Sequence, residues 1–357
     1  MLAIGDEMRL NYIGVVALMA IGLIGCSKSG SNSGTATNSS GSSNGTKAAS
    51  NGENIPNSQL TIAVIPKGAT HSYWKAMHAG AQAAATKLGL HEMIWKGPIK
   101  ENDRQSQIQI VQDFVSKGVS GIVLAPLDDK ALRQPVRAAM NSHVPVLIVD
   151  SGLDSKDYVS FVATNNEHGG EMAGDYLAKL LNGKGKVIML RYEVGSASTV
   201  DREEGFLKAI SKFPGIQVVS SNQYGGATVS SALPKAQNLI ARFKGNGNNL
   251  SINGIFCPNE STAVAMLRVL QDGHYAGKVK FVGFDSAPPL TDAIEKHEMD
   301  GLIVQNPYKM GYLGVTMLVN YIHGKPQVKR VDTGATLVTP ANIKQPKIQK
   351  LVNPPQL

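Results

Sequence analysis

The sequence has few of the residues that usually announce a chemistry. Cysteine occurs twice in 357 residues, at Cys26 and Cys257, so a disulfide framework cannot be what holds the chain together. A chain of this length can bury a sufficient core without one. No Lys/Arg block, zinc-finger spacing or RNA-binding signature accompanies the formal charge of +8, and nucleic acid is not an expected partner. A Gly-x-Ser-x-Gly elbow, a P-loop and a His-Glu-x-x-His pair are also missing. His91 and His297 are isolated, and Asp128-Asp129 reads as a helix N-cap pair. Neither a metal nor a cofactor is expected, and an enzyme has little to rest on. The apolar run Tyr12–Ile24 is shorter than the roughly 20 residues a helix needs to cross a bilayer.

That run does fit the apolar core of a secretory signal, with Arg9 before it. It ends in Leu23-Ile24-Gly25-Cys26, which resembles the lipobox of bacterial lipoproteins. The resemblance implies a signal peptide over residues 1–26, lipid attachment at Cys26 and anchoring to a membrane of the cell envelope, facing the periplasm. Leu2–Glu7 adds nothing a signal needs, so Met8 is an alternative start. Ser27, rather than Asp, follows the cysteine and is compatible with outer-membrane retention. Residues 27–59 are mostly Ser, Gly, Asn, Thr, Ala and Lys, a composition that buries no core and serves as a flexible linker.

From Leu60 the pattern changes to short apolar runs alternating with amphipathic stretches. Strands are expected at Leu60–Pro66, Gly121–Ala125, Pro145–Asp150, Tyr158–Ala163, Lys186–Leu190, Ile216–Ser220, Gly254–Cys257, Val279–Phe284 and Gly301–Gln305. Several are β-branched without polar alternation, as in parallel strands covered on both faces. Between them helices are expected at Ser72–Leu88, Asp103–Lys117, Lys130–Met140, His168–Leu181, Val200–Lys212, Ser230–Phe243, Asn259–Gln271, Pro288–Lys296 and Lys309–Ile322, several closed by glycine. The alternation implies an α/β fold with doubly wound parallel sheets, and the number of units suits two sheets.

Open α/β sheets bind ligands beyond the carboxyl ends of their strands. Lys67 and then His71-Ser72-Tyr73-Trp74 follow the first strand. Asp150, Asn259-Glu260, Asp285 and Gln305 stand at the ends of later ones, and Arg202 opens the helix after Lys186–Leu190. These polar and aromatic side chains read as one crevice, with aromatic walls and a few placed polar groups. Each also has an ordinary structural use. Asp150, Asn259 and Asp285 could cap turns or helices, Arg202 could belong to a solvated first turn, Tyr73 or Trp74 could be core, and Glu260 reads as a solvated acid favoured by the helix dipole. Cys257 reads as a buried small apolar residue.

The order and spacing of several segments resemble the ribose-binding-protein-like, type 1 periplasmic binding proteins. They are Thr61-Ile62-Ala63-Val64-Ile65, Gly80-Ala81-Gln82 with Lys87-Leu88-Gly89, Gly121–Pro126, Val144–Asp150, Ala173–Leu177, Arg202–Phe206 and Val282–Asp285. The resemblance runs from Leu60 to about Thr339. It implies two Rossmann-like lobes, residues 60–164 plus 306–334 and residues 165–305 plus 335–357, joined by three hinge crossovers near Thr164, Gln305 and Gly334. It implies that Asp150, Arg202, Asn259, Asp285 and Gln305 hold sugar hydroxyls, that Tyr73 and Trp74 stack on the ring, and that Phe284 is a further wall. Lys67 and His71 stand where ribose binders carry Ser and Asn, and Ser151 follows Asp150 in place of Arg. The aromatic expected before Ser230–Phe243 is replaced by Tyr224-Gly225-Gly226-Ala227. Ile65-Pro66-Lys67 is more similar to binders of rhamnose or of the furanosyl quorum signal.

The reading is a monomeric binding protein that captures a small sugar or sugar-like polyol between its lobes and delivers it to an ABC permease. A receptor that hands such a ligand to a chemoreceptor or sensor kinase is the alternative, and an enzyme acting on carbohydrate a third reading. A repressor of the same fold would need a helix-turn-helix where this chain has its signal and linker.

Overall fold

A computed structural model describes residues 55–69, 71–245 and 249–357. The signal peptide, Cys26 and residues 27–54 of the expected linker lie outside the described residues. The linker's last residues are already structured. Asn57–Gln59 form a 3₁₀ turn, and Asn57 donates to the Leu88 carbonyl at 2.7 Å and pairs with His323 at 2.7 Å.

Two six-stranded sheets carry the fold. The first contains β1 (Thr61–Ile65), β2 (Glu92–Trp95), β3 (Gly121–Leu124), β4 (Val146–Val149), β5 (Phe161–Ala163) and β11 (Arg330–Asp332), in the order β11-β5-β4-β3-β1-β2. The second contains β6 (Lys184–Arg191), β7 (Gly215–Tyr224), β8 (Gly254–Phe256), β9 (Lys280–Phe284), β10 (Gly301–Val304) and β12 (Thr336–Val338), in the order β12-β10-β9-β8-β6-β7. Pairing is parallel except at β12, which lies antiparallel to β10. The chain enters β12 from β11 of the other sheet through the short segment 333–335, so no helical crossover imposes a parallel direction at that edge.

Each sheet is covered on both faces, as its unalternated apolar strands require. On the first, α1 (Ser72–Leu88) and α9 (Pro307–Ile322) pack one face through Met77, Ala81, Met310 and Leu318. The other face takes α2 (Arg104–Ser116) and α3 (Arg133–Asn141) through Ile110, Phe114 and Val136. On the second sheet, α4 (Asn166–Leu180) and α5 (Ala197–Ile210) supply Ala173, Leu177 and Phe206 to one face. The opposite face takes α6 (Val229–Ala241), α7 (Glu260–Asp272), α8 (Pro288–Glu295) and the C-terminal α10 (Pro346–Val352).

Chain order and sheet order together take the chain between the lobes three times, after β5, after β10 and after β11. Two of these crossovers are tied to each other. The Asp332 carboxylate accepts the amides of Asn165 at 3.0 Å and Gly334 at 2.8 Å, and the Thr164 hydroxyl donates to the Gly334 carbonyl at 3.3 Å.

The unforeseen elements share a cause. β2, β11, β12 and α10 are short and lie on sheet edges or at the chain's end, where half-exposed positions weaken the periodic signal.

Candidate functional site

The carboxyl ends of both sheets face one narrow cavity of about 30 Å³, well below the roughly 300–1,000 Å³ of ligand-filled pockets. Lys67, His71, Tyr73, Trp74, Asp150, Arg202, Asn259, Asp285 and Gln305, all anticipated from the sequence, line it. Phe284 does not. It lies behind Arg202, whose guanidinium carbon sits 3.9 Å from the ring centroid. A desolvated stack of that kind contributes about 2 kcal/mol, so Phe284 holds the cation that faces the cavity.

The two lobes present matching carboxylates. Asp150 follows β4 and Asp285 follows β9, strands at corresponding places in the two sheet orders. Both take left-handed backbone, φ 64° and φ 70°, and each amide is held by the neighbouring strand, at Val162 and Ile303. That conformation turns each side chain off its sheet and into the cavity. It costs a non-glycine residue roughly 1 kcal/mol or more, and Asp tolerates it better than most.

Asp150 accepts the Tyr73 hydroxyl at 2.7 Å and pairs with the Lys67 ammonium at 3.0 Å. The ammonium also donates to Ser196 at 3.2 Å and Ser198 at 3.0 Å, both from the opposite lobe. Its three N–H groups are thereby spent inside the protein. Burial pushes the Lys67 pKa down, against the opposing pull of Asp150. Across the cavity, Asp285 accepts Gln305 Nε2 at 2.7 Å and the Glu260 amide at 3.1 Å. Arg202 donates to Asn166 Oδ1 at 2.8 Å and the Pro258 carbonyl at 3.0 Å, and stands 4.0 Å from Asp285. Burial raises the Asp285 pKa, and Arg202 works against that rise.

Glu260 corrects the sequence reading. It is buried rather than solvated, and its carboxylate reaches across to the other lobe to accept the amides of Ser72 at 3.1 Å and Tyr73 at 3.3 Å. These are orphan donors of the first turn of α1, where the N-cap residue His71 makes no capping bond. Burial pushes the Glu260 carboxyl up to about 7. Asn259 does cap α7, accepting the Thr262 amide at 3.3 Å, and lines the cavity as well.

Tyr73 and Trp74 meet edge to face, 4.9 Å between centroids and 88° between planes. Their polar ends diverge. Tyr73 turns to Asp150, and the Trp74 indole donates to Glu101 at 2.7 Å. Glu101 also faces His71 Nδ1 and accepts the Tyr192 hydroxyl at 2.7 Å. Sequence reasoning passed over Glu101, Tyr192, Asn166, Ser196, Ser198 and Thr199. Glu101 follows β2, the strand that went unread. Tyr192 directly follows β6, whose end was expected at Leu190. The serines and Thr199 lie at the start of α5, which begins three residues before the expected Val200. Tyr192 also brings an aromatic side chain to the lining of the cavity.

Direct bonds cross the cleft at Lys67, Ser72, Tyr73 and Glu101, and also from the Ser198 amide to Ser151 at 3.0 Å and from Arg104 to the Val194 carbonyl at 2.7 Å. The lobes are therefore closed on each other. Among the described residues no His/Cys/Asp/Glu cluster could hold a metal ion, and no helix is long and apolar enough to cross a membrane. Cys257 is buried, and burial pushes its thiol pKa up.

A cleft between two α/β lobes, lined by convergent carboxylates, amides and aromatic rings and bridged by direct hydrogen bonds, defines a solute-binding protein of the type 1 periplasmic fold. The sequence matches the periplasmic binding protein domain over residues 62–326, and the chain belongs to that family. It is 29% identical over 285 residues to the ribose import binding protein of Haemophilus influenzae, covering 79% of this chain and 92% of that one. To the D-allose-binding periplasmic protein of Escherichia coli it is 28% identical over 266 residues, covering 72% and 83%. A carbohydrate transporter solute binding protein from Agrobacterium radiobacter, solved with D-arabinose, superposes with a TM-score of 0.78 at 34% identity, covering 83% of this chain and 99% of that one. One from Agrobacterium vitis, solved with D-fucose, gives 0.78 at 31%, covering 82% and 100%.

Proposed function

We propose that this protein is a lipid-anchored receptor for a neutral pentose or hexose, which it delivers to an ABC permease. The observation that carries the reading is the pair of carboxylates, Asp150 and Asp285, aimed from the two lobes into one small closed cavity beside Tyr73, Trp74 and Arg202. A carboxylate accepts hydroxyl protons, Arg donates in a fixed fork, and the C–H faces of a sugar pack on flat rings. A ligand touching both lobes binds the closed state best and shifts the population toward it. Cys26 and the polar segment after it would hold the receptor at the membrane, where the closed pair of lobes meets the permease. Relatives solved with D-arabinose and D-fucose support a ligand of this size.

A thermal-shift screen with D-ribose, D-allose, D-arabinose and D-fucose is expected to raise Tm for at least one sugar, and a stoichiometry of one should follow by calorimetry. No shift with any of the four would overturn the sugar assignment.

The pH dependence has two opposed contributions. Glu260 is raised from 4.5 to about 7 in the closed geometry, so its contribution to closure is present below 4.5 and is lost as pH rises through about 7. His71 is lowered from 6.5 to about 4 by burial and by Lys67, so its contribution is present above 6.5 and is lost as pH falls toward 4. The wild-type affinity should therefore change little across this window. Glu260→Gln should leave the His71 contribution unopposed and weaken binding steadily between pH 6.5 and 5. Calorimetric titrations that superimpose for the two proteins would remove Glu260 from closure.

A further inference from the structure

Glu101 collects three buried side chains. His71 Nδ1 lies against its Oε1, the Trp74 indole donates to the same oxygen at 2.7 Å, and the Tyr192 hydroxyl donates to Oε2 at 2.7 Å. An indole N–H can only donate, and three donors on two oxygens suit an ionised carboxylate, which can only accept. The Nδ1 of His71 then carries its proton, and in a neutral ring Nε2 keeps only its lone pair. That Nε2 is buried, lines the cavity and has no partner among the described residues. Burial and the neighbouring Lys67 disfavour a second proton on the ring. The second buried group on this cavity without a partner among the described residues is Gln305 Oε1, also an acceptor, since the amide nitrogen is spent on Asp285.

We infer that Glu101 is a specificity-determining positioning residue. By taking the Nδ1 proton of His71 it turns the Nε2 lone pair toward the ligand, so a bound molecule must bring a hydrogen-bond donor to that point and another to Gln305. This rests on the sugar-receptor reading and narrows it: the ligand carries free hydroxyls at both points, and an ether, phosphate ester or carboxylate there leaves a buried acceptor unpaired. His71, Trp74 and Glu101 belong to one lobe, whereas Tyr192 comes from the other. The tautomer is thus set before the cleft closes, and closure adds the Tyr192 bond to the same carboxylate.

The test is long-range ¹H–¹⁵N NMR of the full folded domain labelled at histidine, with His71 assigned by its loss in His71→Asn. Wild type without sugar should show a pyrrole-type Nδ1 and a pyridine-type Nε2. Glu101→Ala should move the ring toward the Nε2–H tautomer and weaken calorimetric binding of the best of D-ribose, D-allose, D-arabinose and D-fucose by about tenfold or more, the loss of one hydrogen bond to a buried group. Glu101→Gln keeps a carbonyl oxygen beside Nδ1 and should restore both the tautomer and most of the affinity. An Nε2–H tautomer in wild type, or a tautomer and affinity indifferent to Glu101→Ala, would overturn the inference. Wild-type failure to bind any of the four sugars would instead sink the sugar reading, and the tautomer in the free protein still decides the role of Glu101.

Discussion

Asp285→Asn is expected to abolish the sugar-induced rise in Tm while leaving a folded protein. Asn tolerates the left-handed backbone at this position almost as well as Asp, so the variant keeps the turn after β9. What it removes is a buried acceptor-only group joined to Gln305 Nε2 and the Glu260 amide and facing Arg202. An amide can replace one of those acceptors and must offer N–H on the other side. Losing a charged partner at a buried site costs roughly 3–5 kcal/mol, which is more than two orders of magnitude in affinity. Circular dichroism should show native secondary structure, and calorimetry should show no binding at millimolar sugar. A ligand-dependent shift equal to that of wild type would remove Asp285 from the site.

The second large effect is expected behind the cavity wall, where two helices meet. A Cβ built on Gly170 would lie 2.0 Å from the carbonyl oxygen of Arg202, and one on Gly205 would lie 2.1 Å from that of Glu167. α4 and α5 therefore touch backbone to backbone, and that contact fixes the height of Arg202 above Phe284. Gly170→Ala must force the helices apart. Overpacking of this kind costs roughly 1–3 kcal/mol, a Tm lower by several degrees in a domain of this size. Because α5 carries Arg202, sugar affinity should fall along with stability. Differential scanning calorimetry and titration of the same sample check both, and a wild-type Tm would contradict the contact.

Those glycines explain why the resemblance was readable at all. Gly174 in Ala173–Leu177 and Gly205 in Arg202–Phe206 sit in motifs that looked separate along the chain, yet both belong to one helix–helix contact. Gly80 and Gly311 play the same part between α1 and α9, where added Cβ atoms would meet the carbonyl oxygens of Tyr308 and Met77 at 1.9 and 2.1 Å. The buried parallel strands were legible because they are apolar without alternation, and the residues following them fell into the cavity as open α/β sheets dictate. Glu101 was not legible because β2, Glu92–Trp95, is a short half-exposed edge strand with no clear apolar pattern, and Glu101 lies in the loop beyond it. Glu260 was misread for a different reason. A first-turn acid normally serves its own helix, and only the placement of two lobes shows that this one serves α1 from across the cleft. The resemblance implied Phe284 as a further wall, but it directly precedes Asp285, and successive strand residues point to opposite faces, which puts its ring behind Arg202.

The tied crossovers have a mechanical consequence. Asp332 staples the first and third passages together, so relative rotation of the lobes turns about that joint and the separate passage at Gln305–Asn306. Points near such an axle travel little, and points at the far rim travel most. Gln305 lies at the second passage and keeps its bond to Asp285, a residue of the same lobe. An ångström gained or lost between ligand and Gln305 is therefore geared up at the outer surface.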